Sequence, residues 1–300
     1  MSPRVGDDGP ERSARPTLPG EMLADILRFG VYLPPFGPFG DPTVLVDLAV
    51  RAEAAGWDGV FLWDHVVSDA MPIVDTWTAL GAIAQATQRV LLGPTVTPLP
   101  RRRPWVVARQ ASTVSRLSGG RLVLGTGLGS DESGDFSRFG EPTDLAARSA
   151  LLDEGLDVVR AMWSGQPIHH EGPHHQISLD AAAPEPHAIP IWVASTTGSP
   201  RVLRRAATCD GIFPLSDHTL RAEEVADVVT AVHRADRPSG RPYDVAIAGN
   251  ASLAWEDPNP DGVDLTGLAQ AGATWWMESL IHVDPLQLSL HVVDAGPPRP

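Results

Sequence analysis

Eight short apolar runs, each followed by an amphipathic stretch, constrain this chain more than any other feature. Runs at 29–33, 59–63, 90–97, 121–126, 190–195, 209–215, 244–249 and 273–279 read as strands. Stretches at 43–55, 75–87, 104–117, 143–163, 199–207 and 219–235 carry helical spacing, with a weaker one at 263–271. Start and stop signals agree with this order: Asp41-Pro42, Pro104 and Thr143-Asp144 open helices, while Gly56 and Gly119-Gly120 close them. Strands that are almost continuously apolar are covered on both faces. The α/β architecture that covers them is a closed parallel (β/α)8 (TIM) barrel. A doubly wound sheet is the alternative, but residues 34–42 (PPFGPFGDP) lack the G-x-G-x-x-G of its first turn. Residues 164–189 form a Pro- and His-rich insertion between units four and five. The tail after Asp284-Pro285 fits helix spacing at Leu286, Leu290 and Val293 and strand spacing at Leu286, Leu288, Leu290 and Val292. The helix is preferred because it completes the eighth unit.

Residues 1–28 read as a flexible N-terminal arm and 29–300 as one barrel domain, since no proline-rich linker divides them. The net charge of −14 disfavours nucleic acid and anionic membrane surfaces as partners. No apolar run reaches the ~18 residues of a membrane helix, and no signal peptide is evident, so a cytoplasmic protein is expected. A single cysteine, Cys209, excludes an internal disulfide and reads as a small core residue.

Chemistry concentrates where strands end. GVFLWDH (59–65) carries an acid and an imidazole, Asp64 and His65, past the carboxyl end of the second strand, where barrel enzymes keep their reactive groups. The competing reading is a helix N-cap by Asp64 with a hydrogen-bonded His65. Trp63 is near enough to line a pocket. STTGS (195–199) joins a strand to a helix; its hydroxyls, glycine and N–H groups suit a phosphate, and also suit plain N-capping. Arg101, Arg102 and Arg103 are read as a solvated loop, with Arg103 or Arg102 paired to carboxylates of neighbouring elements, rather than as a site for an anionic tail. HHEGPHH (169–175) lacks metal-ligand spacing and reads as a turn between two short strands, so no metal is expected. A metal-dependent hydrolytic barrel using Asp64 and His65 would need further ligands at other strand ends, and no convincing set is present.

These residues resemble the bacterial luciferase-like monooxygenase family. The resemblance rests on FGVYLP (29–34), AEAAGWDGVFLWDH (52–65), VLLGPTVTPLPRRRPWVVARQASTVSRLSGGRLVLGTGLG (90–129), LDEGLDVVRAMWSG (152–165), PIWVASTTGSP (190–200), RRAATCDGIFP (204–214) and AGATWWMESL (271–280). It implies a flavin- or deazaflavin-dependent oxidoreductase, usually dimeric. It implies a bulge with a non-prolyl cis peptide at Thr95-Val96 facing the cofactor ring. Within GTGLG (125–129), Thr126 and Gly127 would let backbone approach the cofactor. The phosphate would lie on Ser195, Thr196, Thr197, Gly198 and Ser199. His65 and Asp64 would be catalytic, with Asp64 orienting His65 or touching the ring, and Trp63 and Leu128 would line the substrate pocket. Sugar-phosphate dehydrogenases of the family place a proton-donating glutamate where this chain has Leu128, which argues against that substrate class. The first expectation is a monooxygenase using reduced FMN, from a separate flavin reductase, and O2 on a small organic substrate. The alternative is hydride transfer with a deazaflavin, coenzyme F420. A non-catalytic flavin-binding protein is the alternative of another class.

Overall fold

A computed structural model describes residues 27–69, 71–180, 188–196, 198–235, 241–251, 262–281 and 285–298. Its strands are β1 (Arg28–Leu33), β2 (Gly59–Leu62), β3 (Leu91–Pro94), β4 (Thr97–Pro98), β5 (Leu124–Gly127), β6 (Ile168–Glu171), β7 (Gln176–Leu179), β8 (Ile191–Ser195), β9 (Gly211–Pro214), β10 (Asp244–Gly249) and β11 (Trp275–Ser279). The helices are α1 (Pro42–Ala55), α2 (Thr76–Ala86), α3 (Pro104–Leu117), α4 (Leu145–Trp163), α5 (Pro200–Ala207), α6 (Ala222–Arg234), α7 (Leu265–Ala271) and α8 (Leu286–Ala295). The tail is thus a helix. It buries Leu288, Val292 and Val293, and the Trp57 indole donates to the Val293 carbonyl at 3.0 Å.

All strands but β6 and β7 pair in parallel, in the order β3-β2-β1-β11-β10-β9-β8-β5-β4. The two ends of that order are halves of one strand. The run expected over 90–97 is split at a cis peptide between Thr95 and Val96, so β3 pairs with β2 and β4 with β5. Near its start the same strand meets the next one directly: Leu92 N donates to Arg121 O at 3.0 Å and Val123 N to Leu92 O at 2.9 Å. The barrel closes there, and glycine permits it. A Cβ on Gly93 would sit 2.0 Å from the Val123 carbonyl oxygen, and one on Gly125 would sit 2.2 Å from that of Pro94. No side chain fits such an approach.

Alternation along the strands builds two cores. Inside the barrel lie Tyr32, Phe61, Val123, Trp192, Phe213, Ala246, Trp275 and Met277. Phe61 stacks on Trp192 at 5.4 Å between ring centroids, and both meet Trp275 edge-on at 5.5 Å. Each such ring contributes roughly 1.5–3 kcal/mol of burial. Outward-facing Val31, Leu33, Val60, Leu62, Val193 and Ile247 pack under the helices in the second core. Between α4 and β8 stands the antiparallel β6–β7 hairpin. Buried Glu154 of α4 anchors it, accepting from His170 Nε2 at 3.0 Å and from the His174 and His175 backbone N–H groups.

Candidate active site

Parallel strands send their carboxyl ends to one mouth, so Trp63 to His65, Thr95-Val96, Thr126 to Leu128 and Ser195 meet at the same end of the barrel. Val96, Gly127 and Ala194 touch: a Cβ on Gly127 would lie 3.0 Å from Val96 Cγ2 and 3.1 Å from Ala194 Cβ. With half-buried Trp63, Leu215 and Ala248 they cap the inner core as an uncharged floor. Aromatic rings continue one wall. Trp63 lies 5.5 Å from Tyr32 and 6.0 Å from Phe36, and His65 lies 5.8 Å from Phe36 and 6.0 Å from Trp63. Burial pushes the Tyr32 phenol well above its usual value, so it stays neutral.

The two members of the expected dyad face different partners. The Asp64 side chain is almost fully buried and belongs to a charge cluster. Its carboxylate accepts from Arg102 Nη2 at 2.6 Å and from Thr97 Oγ1 at 2.8 Å, and Arg101 Nη2 lies 3.4 Å from Oδ1 and donates to the Asp64 carbonyl at 2.6 Å. The expected pairing to a neighbouring carboxylate is met at Arg102, but Arg101 joins it in place of Arg103, and both side chains are largely buried where a solvated loop was expected. Asp64 does not orient His65. The group that does is Asp135, in the loop after β5: its Oδ2 lies 2.6 Å from His65 Nδ1, while its Oδ1 accepts the backbone N–H groups of Val66 at 2.7 Å and Val67 at 3.2 Å. Burial raises the Asp135 carboxyl. The His65 hydrogen bond, the Val66 N–H and the charges of His65 and Arg101 together outweigh it and hold the carboxyl below the usual aspartate range. Sequence reasoning missed this residue because SDESGDF holds three acids, Asp131, Glu132 and Asp135. The only local signal was Gly134 before Asp135 and the anchor Phe136 after it.

The other expected site residues fall as follows. Thr95 is buried and its Oγ1 has no hydrogen-bond partner; the same holds for Trp63 Nε1. Val96 is half-buried in the floor. Thr126 is fully buried with its hydroxyl donated to the Thr97 carbonyl at 3.0 Å, while Gly127 turns its open face to Val96 and Ala194. Leu128 is half-buried against the outer core rather than among the inner residues. Ser195 ends β8, Thr196 and Gly198 are exposed, and Ser199 starts α5 without a side-chain capping bond. A Cβ on Gly198 would meet nothing within 4 Å. Thr197 lies outside the described residues. Among the described residues no group of three or more His, Cys, Asp or Glu side chains is placed to hold a metal. No helix among them is long and apolar enough to cross a membrane.

The arrangement suits a flat, mostly apolar ring laid on the floor, with two unpartnered buried polar atoms, Thr95 Oγ1 and Trp63 Nε1, at its edge. Comparison with known proteins shows the family. The family model described as luciferase-like monooxygenase matches residues 27–260. An F420-dependent glucose-6-phosphate dehydrogenase of Nakamurella multipartita is 33% identical over 203 residues, covering 65% of this chain and 58% of that protein. The chain spans about half the length of the curated relatives it matches. Among solved structures, the coenzyme F420-dependent tetrahydromethanopterin reductase from Methanopyrus kandleri superposes with a TM-score of 0.69 at 19% identity, covering 90% of this chain and 98% of that one. The monooxygenase RslO1 from Streptomyces bottropensis gives 0.69 at 20% identity, covering 89% and 96%.

Proposed function

We propose that this chain, which belongs to the luciferase-like monooxygenase family, is a coenzyme F420-dependent oxidoreductase acting on a small organic substrate. The observation that carries the choice of cofactor is the 33% identity to an F420-dependent dehydrogenase. Reduced FMN with O2, the first expectation from the sequence, has weaker support, because the solved monooxygenases of this fold stand at 20% identity or less and speak for the fold alone. Glucose 6-phosphate does not carry over from the relatives, since Leu128 stands where the resemblance places a proton-donating glutamate.

When bound, the deazaflavin supplies a two-electron hydride acceptor or donor. The chain supplies the rest. Val96, Gly127 and Ala194 give the ring a flat support, and Thr95 Oγ1 and Trp63 Nε1 can bond its polar edge. Ser195 to Ser199 hold the phosphate. The aromatic wall of Tyr32, Phe36 and Trp63 excludes water, and His65 exchanges a proton with the substrate through Nε2, its ring nitrogen not engaged by Asp135. Titrating the purified protein with F420 and with FMN, read by tryptophan fluorescence, tests the assignment. F420 should bind at least about tenfold tighter, a difference of ~1.4 kcal/mol. Tighter binding of FMN would overturn it.

A further inference from the structure

Asp135 does more than close a loop. The segment that carries it is held from several directions. Asp131 Oδ1 accepts the Phe136 and Ser137 N–H groups at 2.8 and 2.9 Å, Gly134 takes a left-handed φ of 86°, and Phe136 is fully buried with the Arg148 guanidinium 4.6 Å from its ring centroid. Arg148 in turn donates to the Gly129 carbonyl at 3.0 Å. A carboxylate on such a support cannot follow the imidazole; the imidazole must conform to it.

We propose that Asp135 is the positioning residue for His65, fixing the ring through Nδ1 so that Nε2 is the nitrogen that meets the substrate. The proposal rests on the reading of this mouth as the reaction site. The two carboxylate oxygens divide the work: Oδ1 takes the Val66 and Val67 amides, leaving Oδ2 to accept the Nδ1 proton. Other charges around the pair are committed. Asp64 is bound by Arg101 and Arg102, and Arg138 pairs with Asp69 at 2.7 Å across the same two loops. Phe36 and Trp63 cover the ring. Neutral imidazole otherwise has a free choice of tautomer, and a carboxylate at Nδ1 removes it. In turnover, Nε2 would exchange a proton with the substrate, and the bound deazaflavin would supply the hydride chemistry; the Nδ1 proton stays with the ring and Asp135 stays ionised.

Asp135→Asn is nearly isosteric and separates this role from a structural one. Its amide oxygen can keep the Val66 and Val67 bonds, so its NH2 group then faces His65 and donates to Nδ1, which drives the ring proton to Nε2. Ring ¹⁵N chemical shifts of the cofactor-free protein, with His65 assigned by its loss in His65→Gln, read this directly. The neutral ring should carry its proton on Nδ1 in the wild type and on Nε2 in Asp135→Asn. Acylation of His65 by diethyl pyrocarbonate, which needs a bare outward nitrogen, should slow about tenfold, the equivalent of a ~1.4 kcal/mol tautomer preference. A wild-type neutral ring protonated on Nε2, or a variant with unchanged tautomer, would overturn the proposal. Should the variant fail to fold, the wild-type tautomer alone decides. Failure of F420 to bind would remove the cofactor assignment and leave this result standing.

Discussion

At the scale of single residues, two aspartates, Asp64 just past β2 and Asp135 in the loop after β5, have different tasks. Asp64 and His65 are adjacent in the chain yet their side chains bond different partners. Asp64 turns into a buried cluster with Arg101, Arg102 and Thr97. Such a cluster is costly to break, because removing one partner leaves charge buried and uncompensated. Asp64→Asn should therefore destabilise the protein by about 3–5 kcal/mol in denaturant unfolding; a change below ~1 kcal/mol would show that the cluster is solvated. The dyad position was legible in the sequence, and its partner was not. Which acid of a seven-residue loop folds back depends on the left-handed turn at Gly134 and the burial of Phe136, and neither has a period to read.

At the scale of elements, helices and strands follow from period and caps, while their junctions depend on single side chains. Glu53, near the end of α1, shows this. It accepts the backbone N–H groups of Gln88 at 2.9 Å, Arg89 at 2.5 Å and Val90 at 3.0 Å, pinning the entrance of β3 to α1. Burial raises its carboxyl, but these three donors and the Arg89 charge together bring it below the ordinary 4.5. A carboxylate depressed on folding stabilises the fold above its unfolded value, and that contribution is lost as the pH falls through the folded value. Glu53→Gln should cost about 1–3 kcal/mol at neutral pH. The gap to wild type should shrink below pH 4.5, and a gap independent of pH would contradict the role given to the carboxylate. The eight strand–helix units were readable because each buries an apolar stripe of the right period. Two other outcomes rested on more than pattern. The tail, equally apolar by both periods, is a helix because Leu288, Val292 and Val293 find the outer core. The break at Thr95-Val96 was expected only through family resemblance.

At the scale of the whole molecule, closure of the barrel is what turns separate sequence blocks into one site. Blocks 59–65, 90–97, 125–129 and 195–199 lie far apart in the chain, and parallel pairing brings their carboxyl ends to a single mouth. Sequence pattern reached that mouth but not its interior detail: the contact of Gly127 with Val96 and Ala194, the outward turn of Leu128 and the Asp135–His65 pair all depend on how neighbouring strands register. The central claim is that a phosphate-bearing deazaflavin lies across this mouth, its ring on the floor and its phosphate at Ser195 to Ser199. Gly198 allows a clean test because a Cβ there meets nothing within 4 Å, so a side chain would crowd the ligand and not the fold. The deciding measurement is the F420 dissociation constant of wild type and Gly198→Val, with thermal unfolding as a control. The account predicts unchanged unfolding and about tenfold or greater loss of affinity, the equivalent of one charge-assisted hydrogen bond. Equal affinities in two equally stable proteins would contradict it and place the phosphate elsewhere.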